Sequence, residues 1–142
     1  MKEMLSLIFA LVFSLVCTAE NKPVLVEHLP APAREFITVN YPGEKVSYAF
    51  KDDDLIRPDY TVRLENSVEI VFNNDGSLEK ISSKTGVSEG VVPVQIKDYV
   101  KTYYQDAVIV EYEVGRKEYE VKLNNGLELT FDSKFRLKEL DN

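Results

Sequence analysis

The sequence predicts an α+β fold, a tandem repeat of one helix plus four antiparallel strands, with the helices packed on one face of the sheet. Three observations predict it. First, Tyr60–Phe72 aligns without a gap on Tyr119–Phe131, sharing Tyr-x-Val-(Arg/Lys)-Leu-x-Asn-x-x-Glu-(Ile/Leu)-x-Phe, and the match continues to Leu78/Leu137 and Ile81/Leu140. Two copies of one small unit must share a core or stack side by side. Second, each copy is preceded by a proline and by apolar residues at helical spacing. Third, apolar and polar residues alternate within each copy, as in an antiparallel sheet with one covered face and one wet face.

The chain opens on a targeting segment, residues 1–19. A charged start, Met1-Lys2-Glu3, runs into the apolar stretch Leu5–Val16, and Cys17-Thr18-Ala19 supplies small residues for cleavage after Ala19. The stretch is short for a membrane span and reads as a secretory signal peptide. A lipoprotein starting at Cys17 is the second reading. Val16 argues against it, being bulky where lipoprotein signals carry a small residue. Residues 20–28 are polar and irregular, a flexible lead-in.

The first repeat spans 29–82. Pro30 or Pro32 suits the first helical turn, where the missing N–H costs little. Ala33, Phe36, Ile37 and Tyr41 then form one apolar face. The second repeat, 91–142, starts its helix at Pro93 and repeats the face as Ile96, Tyr99, Val100, Tyr103 and Tyr104. Strands follow: Val46, Tyr48 and Phe50 in one copy, with Val110, Tyr112 and Val114 as expected counterparts. The repeated hairpin turns at Asn66-Ser67 and Asn125-Gly126, read as two-residue turns because Asn and Gly tolerate positive φ. A second turn, Asn73–Gly76 or Asp132–Phe135, leads to the last strand. Residues 83–90, rich in Ser, Gly and Thr, link the copies. The two repeats make one compact domain.

Without residues 1–19 the chain holds no cysteine, and its net charge stays at −7 because Lys2 and Glu3 cancel. An exported chain without disulfides is held by its core. The acidic balance, with no basic stripe, argues against nucleic acid and anionic membranes as partners. No later apolar run is long enough for a transmembrane helix.

The repeated block, together with the Leu29–Ile37 stretch Leu-Pro-x-x-x-x-x-Phe-Ile, resembles the PepSY-like family of small exported bacterial proteins, described as beta-lactamase-inhibitor-like. The resemblance covers about Lys22 to Asn142. It implies tandem helix-plus-four-strand units and an architecture like that of a beta-lactamase inhibitory protein, whose concave sheet grips an enzyme. No inhibitory loop matches residue by residue, and that inhibitor's disulfides have no counterpart here.

Candidate chemistry is sparse. His28 is the one histidine, in the lead-in, too alone for a triad or a zinc site. Asp52, Asp53 and Asp54 stand together in the long loop 51–59 and offer oxygen ligands to calcium, although no Asp-x-Asp-x-Asp-Gly loop is present and a solvated acidic turn is the plainer reading. Most of the eight tyrosines, Tyr48 among them, fall on expected core positions. The wet face is expected to carry Arg63 and Glu69 from the first copy and Glu111, Glu113, Glu120, Lys122, Glu128 and Thr130 from the second. Nothing singles out two of these acids as a glycosidase pair. Phe135 stands where the first copy has Gly76, either as an exposed aromatic anchor or folded back on the sheet. These residues point to a non-catalytic exported binding module, periplasmic or secreted, that docks or inhibits a protein partner through its open sheet face. The alternative is a small-ligand or calcium-binding envelope protein. No cofactor, resident metal or enzymatic activity is expected, and neither the partner's identity nor the oligomeric state is specified.

Overall fold

Proline starts both helices. The computed structural model describes residues 21–52 and 58–142. The expected leader with Cys17, and Asp53 and Asp54, lie outside the described residues. Helix α1, Ala31–Asn40, follows Pro30, and α2, Val94–Tyr103, follows Pro93. Neither start has a side-chain cap. Each helix ends on a tyrosine whose N–H still reaches back one turn, Tyr41 to Ile37 O at 2.9 Å and Tyr104 to Val100 O at 2.7 Å. Pro42 restricts Tyr41 to non-helical backbone and stops α1 there. Helices of 10 residues are marginal alone and depend on the face they bury. That face is Ala33 and Ile37 in α1, and Ile96 and Val100 in α2.

The described strands form one antiparallel sheet in chain order: β1 Asn21–Pro23, β2 Val46–Asp52, β3 Asp59–Leu64, β4 Glu69–Asn73, β5 Leu78–Ser82, β6 Ile109–Val114, β7 Glu118–Leu123, β8 Glu128–Asp132 and β9 Leu137–Asp141. Both helices lie on one face, over Val62, Leu64, Ile70, Phe72 and Ile81 in one half and Val121, Leu123, Leu129 and Phe131 in the other, all buried. Phe36 meets Phe72 edge-on at 5.5 Å between ring centres, and Tyr99 meets Phe131 edge-on at 5.4 Å. Of the residues that the alternation in the first block points toward the helices, Val62, Leu64, Val68, Ile70 and Phe72 are buried and Tyr60 is half-buried.

Three local expectations need correction. The hairpins at Asn66-Ser67 and Asn125-Gly126 have three-residue loops. Leu64 N–H donates to Val68 O at 2.9 Å and Ser67 N–H to Leu64 O at 3.0 Å, and Leu123, Gly126 and Leu127 repeat the arrangement. Positive φ falls only on the last loop residue, Ser67 or Gly126, while the asparagine carboxamide accepts the N–H of Val68 or Leu127, the residue just before the next strand. Second, β2 and β6 are irregular between Val46 and Tyr48 and between Ile109 and Glu111. An extra residue in a strand reverses the side of everything beyond it. Ala49 therefore faces the core while Tyr48, expected in the core, is 47 % exposed. Tyr48 lies opposite Arg63 just as Glu111 lies opposite Lys122, so Ala49, and not Tyr48, is the counterpart of Tyr112. Third, the irregular lead-in is structured: β1 pairs with β2, Val24 N–H donates to Ala49 O at 2.9 Å, and a 3-10 turn covers Val26–His28.

The two halves join edge to edge. β5 pairs with β6 through Lys80–Glu113, Ile81–Tyr112 and Ser82–Glu111. The segment after β5 is tied to β6 as well, Ser83 N–H to Val110 O at 2.8 Å and Val87 N–H to Ile109 O at 2.9 Å.

Candidate binding face

With both helices on one side, no described element covers the other side of the sheet, and the registers order its side chains into cross-strand rows. One row runs Tyr48, Arg63, Glu69, Ser82, Glu111, Lys122, Glu128, Asp141. The next runs Phe50, Thr61, Val71, Lys80, Glu113, Glu120, Thr130, Glu139. Arg63, Glu69, Glu111, Glu113, Glu120, Lys122, Glu128 and Thr130 are thus brought together on one surface. It is graded along the sheet. The β2 end presents Tyr48 and Phe50, stacked at 6.0 Å, and the acids gather over β6 to β9.

Much of the charge is paired, within a row for Arg63–Glu69 and Lys122–Glu128 and diagonally between rows for Lys80–Glu111. Arg63 bridges Glu69 at 3.2 Å, Lys80 bridges Glu111, and Lys122 lies 4.0 Å from Glu128. Pairs this exposed contribute about 0–1 kcal/mol each. The hydrogen bond to Glu111 raises the pKa of Lys80, and the charges of Glu111, Glu113 and Glu120 add to it. Glu120 is different. It lies directly opposite Glu113 on one side and Thr130 on the other. Partial burial pushes its carboxyl pKa up, and Glu113, Glu128, Glu111 and Glu118 push it further. An open hollow of about 280 Å³ lies where the halves meet, lined by Arg63, Glu69, Ser82, Lys84 and Glu111 among others.

Phe135 is not on this face. It closes the β8–β9 turn at φ 61° and stacks on Tyr119 at 5.0 Å, half-buried against the core. Of its two possible dispositions, the ring takes the folded-back one. His28 is exposed beside α1. Asp52 pairs with Asp59 at the end of the sheet, flanked by Asn21 and Asn73 in the same row. No cluster of three or more His, Cys, Asp or Glu able to hold a metal occurs among the described residues. No helix among them is long and apolar enough to cross a membrane.

Sequence reasoning passed over Tyr48, Phe50, Lys80, Glu139 and Asp141 on the open face. A signal was present. Leu78 and Ile81, and Leu137 and Leu140, are three residues apart, so both can face the core only if the strand is irregular there.

The PepSY-like family profile, "Putative beta-lactamase-inhibitor-like, PepSY-like", matches residues 16–80 and again 58–139. No curated protein matches the chain. Among solved structures, the chain is similar to a "putative calcium-regulated periplasmic protein" of Bacteroides thetaiotaomicron, with 36% identity and TM-score 0.83, covering 86% of this chain and 97% of that one. It is similar to a DUF2874-family periplasmic protein of Bacteroides vulgatus, with 35% identity and TM-score 0.82, covering 89% of this chain and 100% of that one. A second Bacteroides vulgatus periplasmic protein, of unknown function, has 32% identity and TM-score 0.81, covering 86% and 99%.

Proposed function

The chain belongs to the PepSY-like family and is periplasmic or secreted, and from that premise we propose that it is a non-catalytic binding protein that docks a protein partner through the open face of its sheet. The reading takes α1 with β2–β5, and α2 with β6–β9, as two copies of one unit whose bare faces form a continuous surface. The observation that carries it is Glu113 directly opposite Glu120, with Glu111 and Glu128 close enough to raise the Glu120 pKa. Like charges facing each other across strands are destabilising. A face kept charged only for solubility is better served by interspersed signs. A face with concentrated acid over β6 to β9 and an aromatic pair at its β2 end suits a basic protein surface with an apolar anchor, the charge guiding encounter and the aromatics adding contact area. Replacing Glu111, Glu120 and Glu128 by lysine tests the reading. Association with the partner is expected to be lost while the circular dichroism spectrum stays native, and unchanged association would sink it.

A second reading, a calcium-binding envelope protein, draws on the row Asn21, Asp52, Asp59, Asn73. Four oxygen-bearing side chains at one sheet end, beside Asp53 and Asp54 in sequence, fit the preference of calcium for oxygen ligands. The Bacteroides thetaiotaomicron relative is described as a "putative calcium-regulated periplasmic protein". Calcium is expected to raise the melting temperature, and the Asp53→Asn/Asp54→Asn double variant to lose that rise. A melting temperature indifferent to calcium in the native protein removes this reading.

A further inference from the structure

We propose that the outer edge of β9 is a strand-docking site for an extended protein segment carrying two basic residues around an apolar one. The inference rests on the reading of the chain as a protein-binding module, but not on which part of the open face is used.

The geometry comes from the molecule's own seam. Lys80, Ile81 and Ser82 of β5 lie opposite Val71, Ile70 and Glu69 of β4, and Glu139, Leu140 and Asp141 of β9 lie opposite Thr130, Leu129 and Glu128 of β8. The two strands thus hold equivalent places, down to the irregularity between Val71 and Phe72 and between Thr130 and Phe131. On its far edge β5 receives β6, which sets Tyr112 opposite Ile81 and leaves Ile81 fully buried. On its far edge β9 meets no described strand, and Leu140 and Leu137 are 51 % and 38 % exposed. An edge strand offers a row of unpaired N–H and C=O groups, a template for another strand.

Charge selects the occupant. At the seam, Lys80 of β5 faces Glu113 of β6. β9 carries Glu139 in the place of Lys80 and Asp141 in the place of Ser82, with Glu128 and Thr130 behind them. The complementary strand reverses the seam's polarity, with a base opposite Glu139, a base opposite Asp141, and an apolar residue between them opposite Leu140. A second copy of this chain fits poorly. Two β9 strands related by a dyad at Leu140 would place Glu139 against Asp141 twice, and like charges directly opposed are destabilising. The far edge of the sheet offers no alternative, because β1 has 3 residues and ends in Pro23, a combination that blunts an edge.

The test uses the ¹⁵N-labelled protein and a capped peptide of alternating lysine and valine. Companion peptides are N-methylated on one or the other alternate set of amides, and a further one replaces lysine with glutamate. Saturable amide shifts centred on Leu137–Asp141 are expected, lost with one methylated set but not the other, and absent with the glutamate peptide. The Glu139→Lys/Asp141→Lys variant, its fold checked by its own spectrum, is expected to bind the lysine peptide roughly tenfold more weakly, the scale of two reversed cross-strand pairs. Equal binding of both methylated peptides, or no binding of the lysine peptide, overturns the edge site. Shifts confined to the rows around Glu111 and Glu120 also overturn it, while leaving the open-face reading standing.

Discussion

Glu120 is set between Glu113 and Thr130, with no cation directly opposite it. Burial and four neighbouring carboxylates raise its pKa above the ordinary 4.5. The folded state therefore binds this proton more tightly than the unfolded chain. Its contribution to stability is fully present below the unfolded pKa and is lost as pH rises through the folded one. Glu120→Gln removes that loss. The variant is expected to gain about a few tenths of a kcal/mol over the native protein at pH 7, a discounted figure because the site is largely open to solvent. The gain should vanish near pH 4. Urea titrations at both values check this, and the same difference at each pH would contradict it. Glu120 itself was legible from strand alternation. Tyr48 was not, because the irregularity after Val46 inverts the parity that places it.

Among the elements, α1 meets the sheet at Gly76. A Cβ there would come within 2.8 Å of Pro30 Cβ and 3.1 Å of Ala33 N, on a backbone at φ 89° that disfavours any side chain. Gly76→Ala is expected to lose about 2–3 kcal/mol in urea unfolding, by overpacking and left-handed backbone together. A loss below about 0.5 kcal/mol would mean that the helix start can shift freely. The corresponding turn at the other end of the sheet takes Phe135 at φ 61° and holds its ring on Tyr119. Both helices were legible because Pro30 and Pro93 open faces of 3.6-residue period that need no knowledge of distant contacts. The hairpins were located from Asn66 and Asn125, but their loop length was not, since asparagine serves here as an acceptor for Val68 and Leu127 N–H and not as a residue of positive φ. The ordered β1 escaped notice because Asn21–Pro23 is too short and polar to show a period, and its pairing depends on the exposed edge of β2.

At the scale of the whole molecule, duplication of the Tyr60–Phe72 block already implied one sheet with two helices on a single side, and hence a bare face. Which residues that face adds at its ends was hidden. Tyr48 and Phe50 depend on the irregularity in β2, and Glu139 and Asp141 on the one between β8 and β9. The face is accordingly more graded than the acidic surface the composition suggests, aromatic at the β2 end and carboxylate-rich at the other. The measurement that tests its role most directly is affinity capture from the bacterium's envelope and culture supernatant with three proteins side by side. These are the native chain, the Glu111→Lys/Glu120→Lys/Glu128→Lys variant, and a control with the same charge change on the helix side, Glu35→Lys/Asp98→Lys/Asp106→Lys. A partner held by the native chain and the helix-side control, but released by the open-face variant, is the predicted result. Retention of that partner by the open-face variant, or its loss in the helix-side control alone, would contradict the account.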